Sequence, residues 1–163
     1  MSVLVLGIGN LVMSDDGVGI RVVQRLVSGY GFPEEVTILD GGTLGLDLLP
    51  FLEGLERLLI VDAMETGKTP GTIVRLSADE IPVAFETKLS PHQMGLKDLL
   101  AVSLLRGHAP REMVLLGIQP ETVQVGIELS PAVAAALPTL VELSLRELAN
   151  WGIEAAVREI KKV

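Results

Sequence analysis

The sequence predicts an α/β sandwich around a mostly parallel sheet. Three observations lead there. Short apolar runs alternate with segments of helical period along the chain. Several runs are apolar throughout instead of alternating, as strands covered on both faces are. The pairs Ser90-Pro91 and Ser130-Pro131 open two helical segments, with serine as cap and proline in the first turn, where its missing N–H has no role.

Val3–Gly9 reads as a buried strand. From Asp16 to Val27 the period is helical: Val18, Val22, Val23, Leu26 and Val27 fall on one side, with Arg21, Gln24, Arg25 and Ser28 opposite. Ser14 is placed as its cap, and Gly29 and Gly31 help terminate it. Val36–Leu39 forms the second strand and ends at Asp40-Gly41-Gly42, and a short helix over Leu46–Leu52 follows. Arg57–Val61 is the third strand, ending at Asp62. Pro70-Gly71 marks a turn and Thr72–Leu76 another strand. The helix from Ser90-Pro91 runs to Leu105, and Met113–Ile118 is a further buried strand. The last helix, from Ser130-Pro131, is expected to kink or break at Pro138, since proline removes one hydrogen bond and clashes with the preceding turn.

At 163 residues the chain is expected to form one domain, 1–163, with a sizeable core. Aromatics are only 3%, so that core is built from Leu, Val, Ile and Ala. Thirteen basic against 21 acidic residues give a formal charge of −8 without a basic stripe, which makes nucleic acid and anionic membranes poor partners. Absence of cysteine excludes disulfides, thiol catalysis and cysteine-type zinc sites. No apolar stretch approaches the ~20 residues of a membrane helix, and the N-terminus has no signal-peptide pattern. A cytoplasmic setting is the expectation. A mean hydropathy of +0.48 fits buried parallel strands. No heptad seam is present, and a monomer is expected.

In open α/β sheets, ligands bind beyond the carboxyl ends of the strands. Asp16 follows the first strand after a loop, Asp40 closes the second and Asp62 closes the third. The opening VLVLGIGNLVMSDDGVGIRV has the strand–glycine–helix form of a phosphate loop, but Asp15-Asp16 stands where a phosphate needs neutral or positive groups. The pattern G-x-G-x-x-G also fails at Val12. A cation is the better match. Adjacent helical residues point about 100° apart, so Asp16 faces the crevice while Asp15 supports the helix dipole, as a cap or toward solvent. Asp40, in ILDGG, also has a local reading as a partner for its glycine turn. His92, in KLSPHQMGL, lies in the first turn of a helix, where a neutral imidazole is favoured and free to bind a metal. His108 has no such position and reads as structural or solvated. Asp16, Asp62 and His92 form an O/O/N set suited to a borderline divalent ion such as nickel or zinc, with coordination positions left open. Neither H-E-x-x-H nor G-x-S-x-G occurs.

GIGNLVMSDDGVG, LDGGTLGLDLL, LLIVDAME, SPHQMGLKDLL and GIQPETVQVGIELSP occur in this order. Together they resemble the nickel-iron hydrogenase maturation proteases, hydrolases that trim the C-terminus of the hydrogenase large subunit after nickel insertion. The resemblance implies a three-layer α/β/α sandwich, phosphorylase/hydrolase-like, whose twisted five-stranded sheet has one antiparallel strand. It implies that Asp16, Asp62 and His92 contact the metal, with Asp40 as a secondary catalytic candidate. Asp16 stands where the family carries Glu or Asp. The implied metal is nickel supplied by the substrate, with zinc or cadmium as substitutes in vitro, and the implied partner is the large-subunit precursor. Catalysis is either metal-dependent or of aspartic type. In the first, the metal polarises the scissile carbonyl or activates water; in the second, Asp16 or Asp62 is general base and the metal serves recognition; His92 is a catalytic candidate in either, as ligand, base or both in succession. Two other readings stand beside this one: a non-catalytic nickel-checking chaperone of the same fold, and a nucleotide-binding module.

Overall fold

The alternation of apolar runs and helical segments becomes a five-stranded sheet with helices packed on it. The computed structural model describes residues 2–42, 49–78, 80–81 and 110–158. Strand β1 (Val3–Ile8), buried at every position, leads through a 3-10 turn (Ser14–Gly17) into α1 (Val18–Gly29). There follow β2 (Tyr30–Gly31), β3 (Val36–Gly42), α2 (Leu49–Leu52), β4 (Arg57–Ala63), β5 (Ile73–Ser77), β6 (Glu112–Ile118), α3 (Pro131–Asn150) and β7 (Ala156–Val157). The sheet order is β3-β1-β4-β6-β5. Its first four strands run parallel, and β5 lies antiparallel on β6. The expected α/β architecture and its antiparallel strand are both present.

Successive strand residues point to opposite faces, so the apolar runs feed two cores. Val3, Val5, Leu59 and Val61 pack with Val18, Val22 and Leu26 of α1 and Leu137, Leu140 and Leu148 of α3. Leu4, Leu6, Leu58, Ile60 and Leu115 form the other core with Leu52, Leu55 and Ile81. Helix α1 comes unusually close to the sheet. A Cβ on Gly19 would lie 2.2 Å from the Val61 carbonyl oxygen and 2.6 Å from that of Ile8.

Several expectations need correction. The second and third strands run past Leu39 and Val61, to Gly42 and Ala63, because ladder pairing continues after the apolar run ends. Val27 is exposed, at the far edge of the α1 stripe. Ser14 makes no cap: its hydroxyl donates instead to the Gln124 carbonyl at 2.7 Å. Of the kink or break expected at Pro138, the break does not occur: helix α3 continues through it as one element. Pro138 and Ala134, whose carbonyl the proline cannot pair, are both exposed, so water can serve that oxygen. Ser130 does cap α3, its Oγ accepting from the Val133 N–H at 3.4 Å, with Pro131 in the first turn. The β2–β7 ladder was not foreseen. The helix expected from Ser90 to Leu105 lies outside the described residues.

The amino end of the sheet is closed by Trp151, which follows α3. Its indole N–H donates to Glu112 Oε2 at 2.9 Å, and the Arg57 guanidinium stands 5.8 Å from the ring centre. Arg57 and Glu112 complete this group as a 3.6 Å ion pair.

Candidate active site

The carboxyl ends of β3, β1 and β4 form one rim. Gly7 of β1 pairs with Asp40 on one side and with Val61 on the other, one residue short of Asp62. Asp62 pairs with Gly117 of β6 and is 1% exposed. The 3-10 turn that carries Asp16 packs against β4. Two sequence-nominated carboxylates, Asp16 and Asp62, therefore belong to directly packed backbone at the ligand-binding end of the sheet.

Glycine makes the Asp16 turn fit. Gly9 has φ +142°, and a Cβ there would lie 1.9 Å from the Asp16 carbonyl oxygen. The loop then closes on the side chain: the Asn10 N–H donates to Asp16 Oδ2 at 3.1 Å, and Asn10 Oδ1 accepts from the Val12 N–H at 3.1 Å. A loop amide that could serve a phosphate is thus occupied by a carboxylate, which argues against the nucleotide-binding reading. Asp16 is half-buried.

Asp15 behaves differently from the expectation of helix support. It is 0% exposed. Its Oδ2 accepts from the N–H groups of Glu121 at 2.9 Å and Thr122 at 3.0 Å and from Ser130 Oγ at 2.8 Å. Its Oδ1 accepts from the Ser130 N–H at 2.7 Å. A buried carboxylate needs such bonds, and these distant donors outweigh the exposed, dipole-supporting role.

Asp40 is exposed, and its Oδ1 accepts from the Gly42 N–H at 2.9 Å, the local turn bond that its sequence context suggested. His92 and His108 lie outside the described residues. Among the described residues no three His, Cys, Asp or Glu side chains gather as a metal-binding group. The carboxylate oxygens of Asp16 and Asp62 suit a hard-to-borderline divalent cation, and His92 is the nominated third donor.

Sequence reasoning missed Gln119. This buried amide accepts through Oε1 from the Thr66 N–H at 2.6 Å and the Thr66 hydroxyl at 2.8 Å. Its Nε2 donates to Glu65 at 3.0 Å, which fixes the segment following Asp62. No local sequence signal marks this pairing, since Thr66 and Gln119 are 53 residues apart.

Comparison with known proteins decides the family. The family model described as hydrogenase maturation protease matches residues 20–147. The chain belongs to the hydrogenase maturation protease family. This maturation protease is 40% identical over 160 residues to the hydrogenase 2 maturation protease of Escherichia coli, with 98% of each chain covered. It is 46% identical to the hydrogenase expression/formation protein HupD of Rhodobacter capsulatus, over 93% of this chain and 73% of that protein. The solved hydrogenase maturating endopeptidase HybD from E. coli superposes with a TM-score of 0.94 at 39% identity, covering 97% of this chain and 98% of the other. The protein is a peptidase of the α/β class.

Proposed function

We propose that this protease removes a C-terminal peptide from a nickel-iron hydrogenase large-subunit precursor, and that nickel held by the precursor is its recognition signal. The observation that carries the reading is the placement of Asp16 and Asp62 on packed backbone at one rim of the sheet. The family supplies the reaction class, and the donor set supplies the metal preference. Carboxylate and imidazole groups hold nickel less tightly than thiolates do, so Asp16, Asp62 and His92 contact a substrate-bound ion without extracting it. One carboxylate takes the proton of the attacking water and returns it to the departing amine, which balances the hydrolysis. Asp62, nearly sealed from solvent, and Asp16, held by the Asn10 N–H, are the candidates for that step, and Asp40 is a secondary one. The cysteine-free composition fits action in a reducing cytoplasm and the lack of a heptad seam fits a monomer; no helix among the described residues is long and apolar enough to cross a membrane.

The test is the mass of the precursor after incubation with this protein, with and without nickel. A loss equal to the C-terminal peptide is expected only from nickel-loaded precursor. Asp16→Asn, Asp62→Asn and His92→Ala are each expected to slow cleavage by about 100-fold or more, with unchanged circular dichroism. Unaltered precursor mass with wild-type protein overturns the reading in favour of the chaperone. Full activity in any of the three variants removes that residue from the site.

A further inference from the structure

We propose that Asp15 is a positioning residue: its buried carboxylate locks the turn carrying Asp16 to the Glu121–Ser130 loop, and this lock sets the aim of Asp16. The inference rests on the proteolytic reading above.

All four bonds to the Asp15 carboxylate come from one distant segment: Glu121 N–H, Thr122 N–H, Ser130 N–H and Ser130 Oγ. The backbone repeats the attachment. Asp15 N–H donates to the Thr122 carbonyl at 3.1 Å, Ser14 N–H to that of Gly126 at 2.8 Å, and Gly126 N–H to that of Val12 at 2.9 Å. The Ser14 hydroxyl adds a bond to the Gln124 carbonyl at 2.7 Å. Ser14 adopts φ +53°, a left-handed conformation that a non-glycine residue holds only against a steric cost. Residues 12–15 are thus seated on the loop, and Asp16 is the next residue. From the other side its carboxylate is held by the Asn10 N–H. Its direction is fixed between these two anchors. Ser130 also caps α3, so the lock ties the turn to that helix as well.

The chemistry requires a carboxylate. Every partner of Asp15 is a donor, and Asn would turn an NH2 group toward at least one of these N–H groups. Asp15→Asn therefore keeps the shape and reverses one end of the lock. A displacement of ~1 Å in a reacting group can cost about 100-fold in rate.

The experiment is steady-state cleavage of nickel-loaded precursor by wild type, Asp15→Asn, Ser130→Ala and Ser130→Thr, each below its own melting transition. Asp15→Asn is expected to lower kcat about tenfold or more while KM stays within about threefold. Ser130→Ala should lower kcat by a smaller factor. Ser130→Thr, which keeps the hydroxyl, should restore it. An unchanged kcat in folded Asp15→Asn overturns the proposal, as does a loss confined to KM. If Asp15→Asn does not fold, the Ser130 pair decides: equal kcat for Ala and Thr overturns it. Wild-type protein that fails to shorten the precursor overturns the proteolytic reading itself, whereas active wild type with unaffected variants overturns only the positioning role.

Discussion

Gly19 and Gly29 belong to the same helix but have opposite surroundings. A Cβ at Gly19 would press on backbone carbonyls of β1 and β4, whereas one at Gly29 meets nothing within 4 Å. Gly19→Ala is expected to destabilise the protein by about 1–3 kcal/mol through overpacking. Gly29→Ala should be neutral or stabilise by up to about 1 kcal/mol, because it restricts the unfolded chain. Urea denaturation of the two variants checks the contrast. Cleavage by Gly19→Ala should also suffer, since the helix that follows Asp16 would shift from the rim. In the sequence, Gly17 and Gly19 beside the acidic pair allow a close backbone approach, with tight helix–strand packing as one reading, so the packing at Gly19 was legible. The role of Asp15 was not, because its partners lie 106 to 115 residues away. The adjacent acidic pair shows that two carboxylates diverge, but not which one meets a set of backbone donors. Asp40 was legible because its partner is two residues away.

At the level of elements, apolar runs located all five strands of the main sheet because each carries apolar residues that are buried or half-buried. Their ends were less legible, since backbone pairing does not stop where hydrophobicity does. The same reason hid the β2–β7 ladder, whose two residues per strand carry no periodic signal. The end of β5 offers a test of local chemistry. Ser77 donates to Glu80 Oε1 through its N–H at 3.1 Å and its hydroxyl at 2.8 Å. These bonds hold the Glu80 carboxyl below the usual glutamate range. Stabilisation by such a lowered group is present above the unfolded-state pKa and is lost as pH falls through the folded-state value. Glu80→Gln should therefore lower the melting temperature slightly at pH 7, and the difference from wild type should vanish under acid conditions below both values. A difference that persists or grows in acid would count against these bonds as its source.

Across the molecule, the two cores share every strand of the central sheet, so neither can loosen alone. Leu59→Ala empties a position in one core and Ile60→Ala in the other, and both residues are fully buried. Each should cost about 2–5 kcal/mol. Both variants should still unfold in a single transition; separate transitions for the two faces would contradict the shared sheet. The sole tryptophan, Trp151, stands at the amino end of that sheet, beside the first residues of β4 and β6. Asp62 is five residues further along β4, about 16 Å away at the usual rise of an extended strand. The molecule's intrinsic fluorescence is thus an optical gauge of global unfolding, insulated from events at the opposite rim. Nickel binding should leave the emission maximum unmoved, and its titration will need a dye or a tryptophan introduced at Val125, which is exposed in the Glu121–Ser130 loop.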